Sequence, residues 1–250
     1  MAAPKQESHM TDPKLDRLDK SFRVQLLSTR IHERFPDSGL YQVSKQLIAV
    51  AEEAKDRSIW IACPILILRL GTAILILVLL LGIVWPIILF GLPSEMPAFM
   101  DFITVLEAGI NDIVFVGAGI FFLVTLESRI KRSRAMDALH GLRVLAHVID
   151  MHQLHKDPER VLRRGDLTPS TPIIDMTPFE LSRYLDYCSE MLSFTGKIAA
   201  IYVQELSDSV VVNGVTEIEL LTSGISRKIW QKLMILHILG SGANITRTTV

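Results

Sequence analysis

With 250 residues, the chain is long enough for a membrane-crossing hairpin with soluble segments on either side. A formal net charge of −1 points neither to nucleic-acid binding nor to a strongly acidic tail. The hydrophobic fraction of 49% is ordinary for a soluble protein, so what matters is its concentration in one stretch, residues 59–126.

Residues 1–13, small and polar, are expected to form a disordered tail, and no secretory signal is read there because the apolar run begins too late. Leu15, Leu18, Phe22, Leu26, Leu27 and Ile31 then recur at helical spacing among charged residues, the pattern of an amphipathic helix. Pro36, Asp37, Ser38 and Gly39 mark a turn. Leu40, Val43, Leu47, Val50 and Ala54 open a second amphipathic helix, which is expected to continue into the membrane with a kink at Pro64.

From Leu70 to Ser94 there is no charged residue. At about 1.5 Å per residue, roughly 20 such residues cross the hydrocarbon, so the run suffices for one span. A second apolar stretch, Phe102 to Leu126, follows a short loop that holds Pro93, Glu95, Pro97 and Asp101 but no Lys or Arg. Residues 70–126 carry four negative charges and no positive one, whereas Arg129, Lys131, Arg132 and Arg134 come directly after the second span. Positive charge beside a span's end stays on the cytoplasmic side. Both termini are therefore expected to be cytoplasmic, in an inner or plasma membrane, with Glu95 and Asp101 in an outer acidic loop. The same basic cluster suits anionic lipid headgroups. Trp60 and Trp85 suit the two interfacial belts, and Arg69 can extend its charge to the nearer surface.

Met136, Leu139, Leu142, Val144, Leu145, Val148, Ile149 and Met151 continue the helical pattern, so the second span is expected to run on as one long rod. Pro158, Gly165, Pro169 and Pro172 make residues 156–176 a loop. Thr177-Pro178-Phe179-Glu180 reads as a capping box opening a helix through Leu206. Asn213-Gly214 is expected to end or follow that helix, and a last amphipathic helix carries Ile218, Leu221, Ile225, Ile229, Leu233 and Leu236 before a frayed tail from Gly240. The fold class is thus all-α: an integral membrane protein with a two-helix transmembrane hairpin and cytoplasmic amphipathic helices forming an oligomeric helical bundle. Its segments are residues 1–13, 14–58, 59–126, 127–239 and 240–250. Cys63 and Cys188 are too far apart in the chain to read as a disulfide pair and fit a reducing compartment.

The chemistry concentrates at the start of the second span. At 100° per residue Thr104, Glu107, Asn111, Ala118 and Thr125 share one stripe, with Asp112 beside it. A carboxylate at mid-depth costs at least about 2.5 kcal/mol on insertion scales, so it should face protein or water. In a symmetric homo-oligomer, Thr104, Glu107, Asn111 and Asp112 would ring an axis, line a pore and attract cations. If the bilayer boundary instead lies later, the same residues form a wet interfacial segment, and an Asn111–Asp112 pair can also serve to join helices.

His140, His147, His152 and His155 fall within sixteen residues, and His147, His152 and His155 are weak metal candidates, since a zinc site needs further ligands at supportive spacing. Phosphate-loop, dinucleotide and nucleophile-elbow signatures are absent, so neither an enzyme nor a cofactor is expected. The leading reading is a homo-oligomeric cation-conducting pore with a cytoplasmic regulatory bundle. The alternative is a membrane-anchored scaffold or sensor whose cytoplasmic helices bind a protein partner.

Overall fold

The computed structural model describes residues 13–90, 99–162 and 174–245. Glu95 and most of the tail expected at residues 1–13 lie outside the described residues. Every element described is helical: α1 (Pro13–Arg34), α2 (Gly39–Ala62), α3 (Leu66–Phe90), α4 (Phe99–Leu154), α5 (Pro158–Leu162), α6 (Pro178–Glu205) and α7 (Ser209–Ile245). They form two compact units. One comprises Met1–Ile61 with Ala135–Val250, and the other Ala62–Arg134.

The larger unit is a helical bundle with a continuous apolar core. Leu27, Ile31, Leu40, Leu47, Leu142, Ile149, Leu181, Leu185, Met191 and Ile218 are all fully enclosed in it. The amphipathic faces of α2, α6 and α7 lie where their spacing places them. On α1 the buried line is Val24, Leu27, Ser28 and Ile31, while Phe22 and Leu26 are exposed. Steps of three and four keep a face together, whereas successive steps of four from residue 18 drift around the helix. For the same reason Val144 and Met151 of α4 stand outside the core. Ser28 and Ser44 share a buried hydroxyl bond of 2.8 Å that joins α1 to α2.

The stretch expected as a loop from residue 156 opens instead with the short helix α5. Proline fits the first turn of a helix, and the Asp157 carboxylate accepts from the Glu159 amide to cap it. Thr177 caps α6 as its sequence predicts. Its hydroxyl accepts from the Glu180 amide, and the Glu180 carboxylate accepts from the Thr177 amide at 2.8 Å. The break that follows is not at Asn213-Gly214. α6 ends at Glu205, and Asp208 caps α7 by accepting from the amides of Val210 and Val211. Gly214 lies inside α7, where a Cβ would stand 3.1 Å from Leu139 and 3.3 Å from the Met136 sulfur. The glycine serves a close approach between helices instead of a turn. α7 also continues beyond Gly240 to Ile245, since no proline interrupts it and an established helix adds one hydrogen bond per residue. At the other end of the bundle, the Lys232 ammonium donates to the carbonyls of Gln153 (2.7 Å) and Leu154 (3.4 Å), closing the C-terminus of α4.

The smaller unit is the hairpin of α3 and the first part of α4. Two helical stretches, Gly39–Gly82 and Leu106–Val161, each hold an 18-residue window long and apolar enough to cross a membrane, and no residue of either window is buried. Two glycines set the seam of the hairpin, Gly71 on α3 and Gly119 on α4. A Cβ on Gly119 would meet Leu75 at 2.8 Å and one on Gly71 would meet Leu123 at 3.7 Å, so each glycine receives a leucine from the opposite helix.

Candidate functional site

The hairpin seam fixes which way each polar residue of α4 points. Val116, Gly119, Ile120 and Leu123 are its half-buried residues on the α3 side. By helical geometry Glu107 lies about 160° from Leu123 and Asn111 about 120° from it, so both occupy the opposite face. Thr104, Glu107, Asn111, Ala118 and Thr125 are all exposed, as the shared stripe requires. Around them stand Ile110, Ile113, Val114 and Phe115, the last 76% exposed. Among the described residues, no cation pairs with Glu107 or Asp112.

Asp112 separates from the stripe. It falls within about 20° of both Gly119 and Leu123, on the line that faces α3. The contacts of Gly119 with Leu75 and of Leu123 with Gly71 set an antiparallel register that brings Asp112 level with Gly82. A Cβ on Gly82 would meet nothing within 4 Å, and the Asp112 side chain is exposed. The four candidate pore residues are thus all exposed, with Thr104, Glu107 and Asn111 on the outward face and Asp112 on the line nearer α3. Asp101 lies in the first turn of α4.

A second polar constellation closes the base of the hairpin. The helix does not run unbroken through Pro64. α2 stops at Ala62 and α3 starts at Leu66, because proline has no amide to give and its ring collides with the preceding turn. The groups freed by the break are taken by α4. Glu127 accepts from the Ile65 amide (3.4 Å) and from Lys131 (2.8 Å), and lies 3.9 Å from Arg69. Lys131 also donates to the Ala62 carbonyl at 3.1 Å. The side chains of Lys131 and Glu127 are only 13% and 16% exposed, so this pair is well shielded from solvent. Of the four basic residues considered for lipid headgroups, Lys131 is therefore committed to the protein itself, Arg129 is exposed, and Arg132 and Arg134 are half-buried. The clasp is readable in part from the sequence: Glu127 and Lys131 stand four apart, the spacing of a helical ion pair.

The histidines do not converge. His140, His147 and His155 are exposed and His152 is half-buried, and among the described residues no group of three metal-ligating side chains forms. His152 packs on the start of α2, where a Cβ on Gly39 would lie 2.5 Å from its ring. Desolvation, and then the nearby Lys156 charge, lower its pKa below the usual histidine value. Both cysteines are free thiols. Cys63 is exposed, and burial pushes the Cys188 thiol up to about 12, which leaves it unreactive. Tyr184, Tyr187 and Tyr202 are buried packing residues: Tyr184 and Tyr187 meet Phe35 edge-on at 5.5 and 6.4 Å.

The arrangement presents exposed Glu107, Asn111 and Asp112 along α4, and a salt-bridged clasp of Glu127 and Lys131 further along the same helix. It presents no nucleophile–base pair and no metal cage among the described residues. Comparison with known protein families, with characterised proteins and with solved structures finds no match to this chain.

Proposed function

We propose that the chain is a two-span membrane protein whose second span gathers with copies of itself to line a cation path. The observation that carries this reading is the outward face of α4. Glu107 and Asn111 point away from α3, in the middle of apolar side chains that are themselves exposed. A carboxylate at that depth in lipid costs at least about 2.5 kcal/mol, and one hairpin cannot shelter a face opposite its own seam. Sister subunits supply the shelter, and a ring of carboxylates and amides on the symmetry axis concentrates cations and repels anions. The basic residues after the span put both termini in the cytoplasm, with the bundle there as the regulatory part.

The test is cation flux through the purified protein in liposomes, together with its subunit number in detergent. Glu107→Gln should lower flux several-fold, because the ring loses charge facing the path. Asp112→Asn should lower it less, because Asp112 lies on the line nearer α3. A protein that passes no cations, or one that is monomeric with full flux in E107Q, removes the reading.

The scaffold reading has an observation of its own. The bundle encloses a continuous apolar core within one chain, as a self-contained binding module would. A flux-silent protein whose bundle binds a cytoplasmic protein would favour it.

A further inference from the structure

An open cleft of about 480 Å³ lies on the bundle surface between α6 and α7. Its walls are Ser189 and Ser193 from α6, and Ser223, Ser226, Arg227 and Trp230 from α7. The spacings 189/193 and 223/226/227/230 are those of one face on each helix, so the six side chains converge on one space. The volume lies within the roughly 300–1,000 Å³ of small-molecule sites.

Three features distinguish this cleft from ordinary surface. The threonines within α6 and α7 return their proton to the carbonyl one turn back: Thr195 to Met191 at 2.9 Å, Thr216 to Val212 at 3.0 Å, and Thr222, at the cleft floor, to Ile218 at 2.9 Å. Among the described residues the hydroxyls of Ser189, Ser193, Ser223 and Ser226 make no such bond and remain available to a ligand. Second, other bundle arginines around α6 and α7 are engaged: Arg30 by Glu190 at 2.5 Å, Arg143 by Glu217, and Arg183 by Asp186. Among the described residues no carboxylate pairs with Arg227, and Glu190, the acid next to Ser189, is the one Arg30 holds. Third, Trp230 is 63% exposed, leaving an indole face at the edge of the cleft.

We propose that the cleft binds a phosphorylated ring, with the phosphate monoester on Arg227 and the serines and the ring against Trp230. The planar guanidinium fork matches two phosphate oxygens, and a phosphate monoester has a third acceptor oxygen for the hydroxyls to reach. A cation is disfavoured, since no acid lines the space. A flat or puckered ring buries apolar area on the indole and fixes the ligand's orientation. This chemistry has two sources: a soluble nucleotide or sugar phosphate, or the phosphorylated inositol of a lipid headgroup.

The experiment is calorimetric titration of the full chain in detergent with adenosine monophosphate, glucose 6-phosphate and inorganic phosphate, and sedimentation with vesicles containing phosphatidylinositol phosphate. Saturable binding in a soluble arm assigns a free metabolite, and binding confined to the vesicle arm assigns the lipid. In either case Arg227→Gln should weaken binding about tenfold or more, the worth of one charge-assisted contact, with unchanged thermal unfolding. Trp230→Ala should erase the preference for a phosphorylated ring over inorganic phosphate. No saturation below about 1 mM in any arm overturns the proposal. So does affinity unchanged in R227Q, or inorganic phosphate binding as tightly as every ring-bearing ligand.

Discussion

The two units use apolar residues in opposite ways. In the bundle, Leu142, Leu185 and Ile218 face inwards and are wholly enclosed. In the hairpin, Ile67, Phe115 and Phe121 face outwards, with Phe121 74% exposed. On the function proposed above, each unit is built for a different surrounding medium. A bundle of helices gains stability by removing apolar area from water. A hairpin with apolar residues all round gains nothing that way and is held by small-residue contacts and a polar clasp.

Truncations on the two sides break this contrast most sharply. Leu185→Ala should destabilise the bundle by about 2–5 kcal/mol, through lost burial and the cavity left behind. Phe121→Ala on the outer hairpin face should move unfolding in detergent far less, although it removes a larger side chain. Denaturant titration of both variants checks the prediction, and equal losses would show that Phe121 packs against protein.

The clasp comes next in size. Lys131→Met leaves Glu127 shielded with only the more distant Arg69 and uncovers the Ala62 carbonyl, and should cost roughly 1–3 kcal/mol. Much of that cost should vanish when Glu127→Gln is combined with it, because the orphaned charge is then gone. A double-mutant cycle on thermal unfolding measures the difference. Simple additivity would mean that the two residues act separately.

These comparisons also show what is legible in the chain. The apolar run after Leu70 and the Thr177 capping box are local patterns, and the structure has both helices where those patterns put them. Gly214 misleads because a glycine after an asparagine carries the same local signal whether it turns the chain or admits Leu139. The relation of Asp112 to Glu107 is only half legible. Helical periodicity separates them by angle, but nothing local says which angle faces α3; that depends on Leu75 meeting Gly119. The cleft around Arg227 is hidden for a related reason, since an unpaired arginine is defined by which acids its neighbours have already taken.

A smaller effect sharpens the contrast at the edge of the bundle. Thr177→Ala should remove about 1 kcal/mol, the usual worth of an N-cap hydroxyl. Thr177→Ser should restore most of it, because the oxygen that accepts from the Glu180 amide returns. Helix content and unfolding midpoint report the two variants, and a silent Thr177→Ala would mean that α6 is held by its packing alone.

The smallest expected effect is a pH dependence confined to the bundle. His152 lies against the start of α2, partly desolvated and near Lys156, and both influences lower its folded pKa below 6.5. The unfolded chain therefore binds a proton at this site more readily than the folded one. Stability from this group is intact above pH 6.5, and it declines as pH falls from there through the lower folded value. The N-terminal end of α2 adds to this, since a helix start is positive and disfavours an imidazolium beside it. His152→Gln should flatten that slope while leaving the neutral-pH midpoint nearly in place. Unfolding midpoints of the two proteins between about pH 7.5 and about 5 decide the point. A slope surviving in H152Q would detach the acid sensitivity from the contact between α2 and α4.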